Sequence, residues 1–231
     1  MSKRGKAYIK AKEKIQPRAY PFSEAAALLK EVKTSSFDES VDVSVRLAVD
    51  PKYPEQMVRG TVVLPFGTGK VKRVLVIAAG EKQKEASEAG ADHVGGEEIV
   101  EKIQKENWFE YDVVIATPDM MKSVGRLGKA LGTKGLMPSP KAGTVTFNVR
   151  DTVAEIKKGR VEFRVDKAGI IHSTIAKTSF AADQIAENAK ALLGAILKAR
   201  PATLKGRYVR SVFISSTMSP AIKLDIAELE I

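Results

Sequence analysis

The 231-residue sequence contains no cysteine, so it holds no disulfide, no thiolate nucleophile and no cysteine-ligated metal. That usage fits a reducing compartment. No stretch approaches the ~18 consecutive apolar residues of a membrane span. The first residues carry no apolar signal-type run, so a cytoplasmic location without membrane contact is expected. Histidine is scarce. His93 and His172 fall in different proposed domains, which argues against a two-histidine metal site. No serine sits in a Gly-x-Ser-x-Gly turn. The carboxylates lie mostly beside lysines on helix-like faces, where solvated surface is the ordinary role. Neither a catalytic pair nor a cofactor is expected.

What the chain has in excess is positive charge, a formal net of +10. Residues 68–159 hold 15 Lys and Arg against 13 Asp and Glu, so most of the surplus lies in the outer segments. Residues 1–18 carry Lys3, Arg4, Lys6, Lys10, Lys12, Lys14 and Arg18 against Glu13 alone. Such a surplus favours nucleic acid, because each phosphate contact releases condensed counterions. Much of it sits in one arm, so charge alone does not locate a site on the folded body. Residues 2–14 read either as a basic helix or as a solvated arm.

The pattern changes character twice. Between Arg59 and Gly80 two strand-like runs, Thr61–Leu64 and Val74–Ala79, flank a Pro/Gly segment, and the earlier character resumes near Gly159. Gly67, Gly69 and Gly159 read as hinge crossings, since boundaries fall in segments of this composition. The expected domains are residues 1–67 plus 159–231, discontinuous, and residues 68–158, inserted.

In the outer segments the period is two. Val41, Val43, Val45 and Leu47 face one way, while Asp42, Ser44 and Arg46 face the other; Val161, Phe163 and Val165 repeat the pattern. Helices are expected from Ser23, as N-cap, to about Val32, and over residues 181–198, closed by Pro201. Strands at Val58–Leu64, Ile170–Ile175, Tyr208–Ser216 and Ala221–Leu229, with a hairpin turn at Asp166–Gly169, complete an α+β sandwich whose antiparallel sheet is covered by helices. The middle differs. Apolar runs at Val74–Ala79, Ala91–Val94 and Val113–Ala116 alternate with helices at Glu81–Glu88, Glu97–Asn107 and about Asp119–Leu131, the pattern of a small parallel, Rossmann-like βαβ sheet. Gly132–Gly143 reads as a long Gly/Pro/Lys loop, solvated in the first reading and in contact with phosphate in the second. The fold class is α/β in two domains.

Gly67-Thr68-Gly69-Lys70 imitates a phosphate loop but fails its chemistry. Leu64 stands where the first glycine belongs, and Val71 replaces the magnesium-binding Ser or Thr. A nucleotide-dependent enzyme built on the parallel-sheet domain is the alternative reading, and it rests on fold analogy alone.

Several motifs then point elsewhere. They are Phe37-Asp38-Glu39, Val63-Leu64-Pro65 with Gly67-Thr68-Gly69-Lys70, Leu136-Met137-Pro138 with Pro140-Lys141-x-Gly143-Thr144, Gly159-Arg160-x-Glu162-Phe163-Arg164, Arg210-Ser211-Val212 and Thr217-Met218-x-Pro220. In this order they resemble the universal large-subunit ribosomal protein L-one family over essentially the whole chain. The resemblance implies a non-enzymatic protein of the cytoplasmic ribosome. Its outer domain binds large-subunit rRNA at the mobile stalk beside the tRNA exit site. It also implies contact with exit-site tRNA and other ribosomal components, help in releasing deacylated tRNA, and repression of its own operon through a similar structure in the mRNA. By motif position Phe37, Ser40, Arg164, Lys167, His172, Thr217 and Met218 are the candidate RNA surface. Arg164 and Lys167 suit phosphate, Thr217 a 2′-hydroxyl or base edge, and Phe37 and Met218 an exposed ribose or base. Phe37 reads nearly as well as core, and the alternative for His172 is a residue that satisfies a backbone carbonyl. The family usually has glycine after Thr-Met, where this chain has Ser219. Its Cβ either loosens the contact or its hydroxyl compensates.

Overall fold

The computed structural model describes residues 5–202, 204 and 206–226. In chain order the elements are α1 (Lys6–Glu13), α2 (Phe22–Glu31), β1 (Ser40–Leu47), β2 (Arg59–Val63), β3 (Val74–Ile77), α3 (Glu81–Glu88), β4 (His93–Gly95), α4 (Glu97–Glu106) and β5 (Val113–Ala116). There follow α5 (Met121–Gly125), α6 (Gly128–Thr133), α7 (Val149–Lys158), β6 (Arg160–Arg164), β7 (Ile170–Lys177), α8 (Ala182–Lys198), β8 (Val209–Ser216) and β9 (Ile222–Leu224). The chain divides into two compact units, Met1–Gly69 with Val161–Ile231, and Lys70–Arg160.

The first unit holds a four-stranded antiparallel sheet in the order β7-β1-β8-β9, with β2 and β6 paired beside it. The alternation along β1 is realised. Val41, Val43, Val45 and Leu47 are buried, while Asp42, Ser44 and Arg46 stay on the open side. The inner face packs against α2 and α8 through Leu29, Ile185, Leu192 and Ile196. Each such side chain contributes about 2 kcal/mol by leaving water. Residues 6–13 are a basic helix anchored by Ala11, which settles the amino-terminal reading in favour of helix for those residues.

Local chemistry departs from expectation in three places. Helix α2 starts two residues before the start a Ser23 cap would set: Pro21 occupies the N-cap position, no side chain caps it, and Ser23 is exposed. Burial of Phe22 sets that start, so packing overrides cap preference. The helix over 181–198 does carry a reach-back bond, from the N–H of Ala181 to Gln184 Oε1 at 3.0 Å. The expected helix over Asp119–Leu131 is a 3-10 turn at Pro118–Met120 followed by two short helices, interrupted at Arg126 and Leu127 between Gly125 and Gly128. The last strand covers Ile222–Leu224, and residues 227–229 of the expected strand lie outside the described residues.

The second unit is a parallel sheet in the order β4-β3-β5. Its central strand is buried along its whole length. Leu75 and Ile77 join one core cluster, Val74 and Val76 another. A sheet covered on both faces produces continuous apolar runs of this kind. Helix α7 covers one face with Val149, Val153 and Ile156 and ends at Gly159, whose φ of 106° suits a residue without Cβ.

Candidate nucleic-acid interface

The turn before β1 and the turn after β8 meet at one rim of the four-stranded sheet, and Glu39 joins them. Its side chain is 0% exposed. One carboxylate oxygen accepts from the N–H of Ser35 at 3.2 Å and from the Ser35 hydroxyl. The other accepts from the Ser216 hydroxyl and from the N–H of Met218 at 3.0 Å. Burial would raise the Glu39 pKa, but the bonds from Ser216, Ser35 and Met218 outweigh it and hold the carboxyl below the ordinary glutamate value. Asp38 anchors the same turn to the segment after β7, accepting from Thr178 Oγ1 at 2.9 Å and from Ser179 N and Oγ at 3.0 Å. Burial again acts upward, and these bonds again win, lowering its pKa.

With this frame fixed, the candidate residues project outward. Phe37 is 53% exposed and Met218 is 56% exposed, so Phe37 is a surface residue and not a core one. Thr217 Oγ1 accepts from the N–H of Ser40 at 3.2 Å, which places Ser40 and Thr217 side by side. The hydroxyl of Ser219 is engaged. It accepts from the N–H of Ser216 at 3.0 Å and lies 2.8 Å from Ser216 Oγ. Since Ser216 gives its own proton to Glu39, the Ser219 hydroxyl donates to Ser216. The chain runs Ser219 to Ser216 to Glu39, and it ties the Thr217-Met218 turn from both sides.

Arg164, Lys167 and His172 form a second group. Asp166 closes the hairpin by accepting from the N–H groups of Ala168 and Ile170, both at 2.8 Å, and thereby presents Lys167. The Ile170 bond is the main cause of its lowered pKa. His172 Nε2 lies 3.9 Å from Asp166 Oδ2, and its Nδ1 is 3.0 Å from Ser44 Oγ. His172 therefore meets side chains and not a backbone carbonyl. Arg164 is exposed, with a guanidinium nitrogen 4.0 Å from Met57 Sδ. Ser40 pairs with Lys177 and Ser44 with His172 on the same two strands, so about 13 Å of strand separates the two groups.

Gly67 and Gly69 have φ values of 68° and 72°. Asn188, fully buried on α8, holds this segment: its Oδ1 accepts from the N–H of Phe66 at 3.2 Å, and its Nδ2 donates to Gly67 O at 2.9 Å and Ile175 O at 2.8 Å. A Cβ on Gly69 would meet Lys177 Cγ at 2.9 Å and Phe180 Cε1 at 3.0 Å.

Sequence reasoning gave no role to Glu39, Ser216 or Asn188. For Glu39 a signal exists, because position 39 shares the inward parity of Val41 and Val43. The glycine-lysine segment at 67–70 leads into strand β3, not into a helix, so the context of a phosphate loop is missing as well as its residues. Among the described residues no cluster of three or more His, Asp or Glu could hold a metal. No helix there is long and apolar enough to cross a membrane.

Two comparisons bear on this arrangement. The sequence profile of the Ribosomal protein L1p/L10e family matches residues 29–220, a span that includes all seven candidate residues. The chain is 57% identical over 229 residues to the large ribosomal subunit protein uL1 of Solibacter usitatus (strain Ellin6076), covering 99% of this chain and 97% of that protein. The chain belongs to the Ribosomal protein L1p/L10e family.

Proposed function

We propose that this chain, a ribosomal protein of the large subunit working in the cytoplasm and not an enzyme, binds large-subunit rRNA at the mobile stalk near the tRNA exit site. One observation carries the reading. Phe37 and Met218 stand exposed on a rim whose backbone is locked by the buried Glu39 carboxylate. Exposed side chains on a fixed backbone beside Ser40 and Thr217 fit the shape-based recognition of folded RNA. Arg164 and Lys167 add phosphate contacts further along the same unit.

Residues 1–67 with 159–231 act as the RNA-binding domain, and 68–158 as a Rossmann-like arm that reaches exit-site tRNA and aids its release when deacylated. Gly67, Gly69 and Gly159 serve as the hinge. The same surface binds the protein's own operon mRNA and represses translation. Family resemblance supports the tRNA and mRNA roles.

Equilibrium binding of the full chain to a stalk rRNA fragment tests the first claim. Thr217→Ala is expected to weaken binding about tenfold, or about 1.4 kcal/mol. Affinity equal to wild type would remove Thr217 and its rim from the interface. For the hinge, distances between labels on the two units of the free protein are expected to spread, and one fixed separation would exclude it.

A further inference from the structure

The four-stranded sheet gives one face to α2 and α8 and leaves the other open. Across the open face one row of side chains runs at right angles to the strands. His172 on β7, Ser44 on β1, Phe213 on β8 and Lys223 on β9 are register neighbours. The row spans about 14 Å, three strand spacings of ~4.8 Å. The contact between Ser44 Oγ and His172 Nδ1 places those two on one face. Phe213 is 37% exposed in the middle of this row.

Beyond Lys223 the rim of the sheet faces α1 across a groove of about 450 Å³. Tyr8, Lys12 and Arg18 line one side, and Phe213, Pro220 and Lys223 the other. Three cations and two aromatic rings therefore face this space, and no carboxylate lines it among the described residues. Arg18 is occupied by Glu24 and by the ring of Tyr20. Lys12 and Lys223 have no ion-pair partner among the described residues. The groove continues the candidate interface directly, because Pro220 and Ala221 follow the Thr217–Ser219 turn in sequence.

We propose that this open face is a second RNA contact, taking an unpaired nucleotide of the same bound RNA. Its base stacks on Phe213, and its flanking phosphates meet Lys12 and Lys223. The proposal rests on the RNA-binding reading of the rim. A phenyl ring offers a π face to any base, and an open antiparallel sheet with an exposed aromatic is a surface that single-stranded RNA uses. Ammonium groups on both sides of the groove complement the phosphates of a strand crossing it. The lysines on both sides of the groove set it apart from the charge-depleted centre of a protein-docking surface.

The test uses the full chain and a stalk rRNA fragment that keeps its unpaired flanks, read by fluorescence anisotropy across a salt series. Phe213→Leu is expected to lower affinity about tenfold with an unchanged melting temperature, since the ring is exposed. Phe213→Tyr retains stacking and stays within about twofold of wild type. Lys223→Gln lowers the magnitude of the salt slope by about 0.7. Ultraviolet cross-linking is expected to place a nucleotide on the peptide containing Phe213. If Phe213→Leu binds like wild type while Thr217→Ala does not, the open face is rejected and the rim survives. Were the wild-type chain to ignore the rRNA fragment, the rim reading would fail first, and this one with it.

Discussion

Glu39 accepts a hydrogen bond from the backbone N–H of Met218 at 3.0 Å, across 179 positions of sequence. Through the same carboxylate it holds Ser35 and Ser216, so one buried charge fixes both turns of the candidate rim. Its removal leaves two backbone N–H groups and two hydroxyls without their acceptor.

Glu39→Ala is therefore expected to destabilise the protein by about 3 kcal/mol, since buried donors lose a charged acceptor and a cavity opens. Urea unfolding measures this. A midpoint unchanged from wild type would show that the carboxylate does not hold the rim.

The pH dependence follows from lowered carboxyl values. Asp38, Glu39 and Asp166 all lie below their ordinary pKa, so each adds stability that is fully present above its unfolded value, near 4. That stability disappears as pH falls through the folded values. Thermal melts are expected to be flat from pH 7 to about 5 and to fall steeply below 4. A melting temperature that rises on acidification would contradict the assignment.

Ser219→Ala removes a hydroxyl that bonds Ser216 twice. A loosened Thr217-Met218 turn is expected to weaken rRNA binding about fivefold, close to 1 kcal/mol. Ser219→Gly is expected to behave similarly. If either variant binds more tightly, the serine hinders approach of the RNA rather than organising the turn.

Asn188→Leu leaves Gly67 O, Ile175 O and Phe66 N without their buried partner. A loss of about 3 kcal/mol is expected in urea. Hydrogen exchange should also show faster exchange at Phe66. A variant as stable as wild type would mean that water replaces the amide.

Much of the fold was legible because its signals are local. The period-two run from Val41 to Leu47 marks a half-buried strand, and the unbroken run Val74–Ile77 marks one covered on both faces. Helix α7 is not legible in the sequence: Val149, Thr152 and Val153 are β-branched, and their helical spacing counts only once the sheet they cover is known. Ser23 offered a cap, but burial of Phe22 decided the start of α2. The rim residues came from motif resemblance. Glu39 stands in one of those motifs, but its organising role does not follow from it, because the hydroxyl and N–H it binds at Ser216 and Met218 lie at the far end of the chain. Position 39 shares the parity of Val41 and Val43, but parity does not name partners.

Strand β1 sits inside the sheet, between β7 and β8, both of which are drawn from the far end of the chain. During synthesis it emerges more than a hundred residues before either neighbour. At roughly 5–20 residues per second it stays unzipped for on the order of ten seconds. The parallel-sheet segment has all its own strands in hand well before then. Nascent chains of this protein thus expose a long apolar β-edge in a crowded polysome, and a trapping chaperone would find its substrate there.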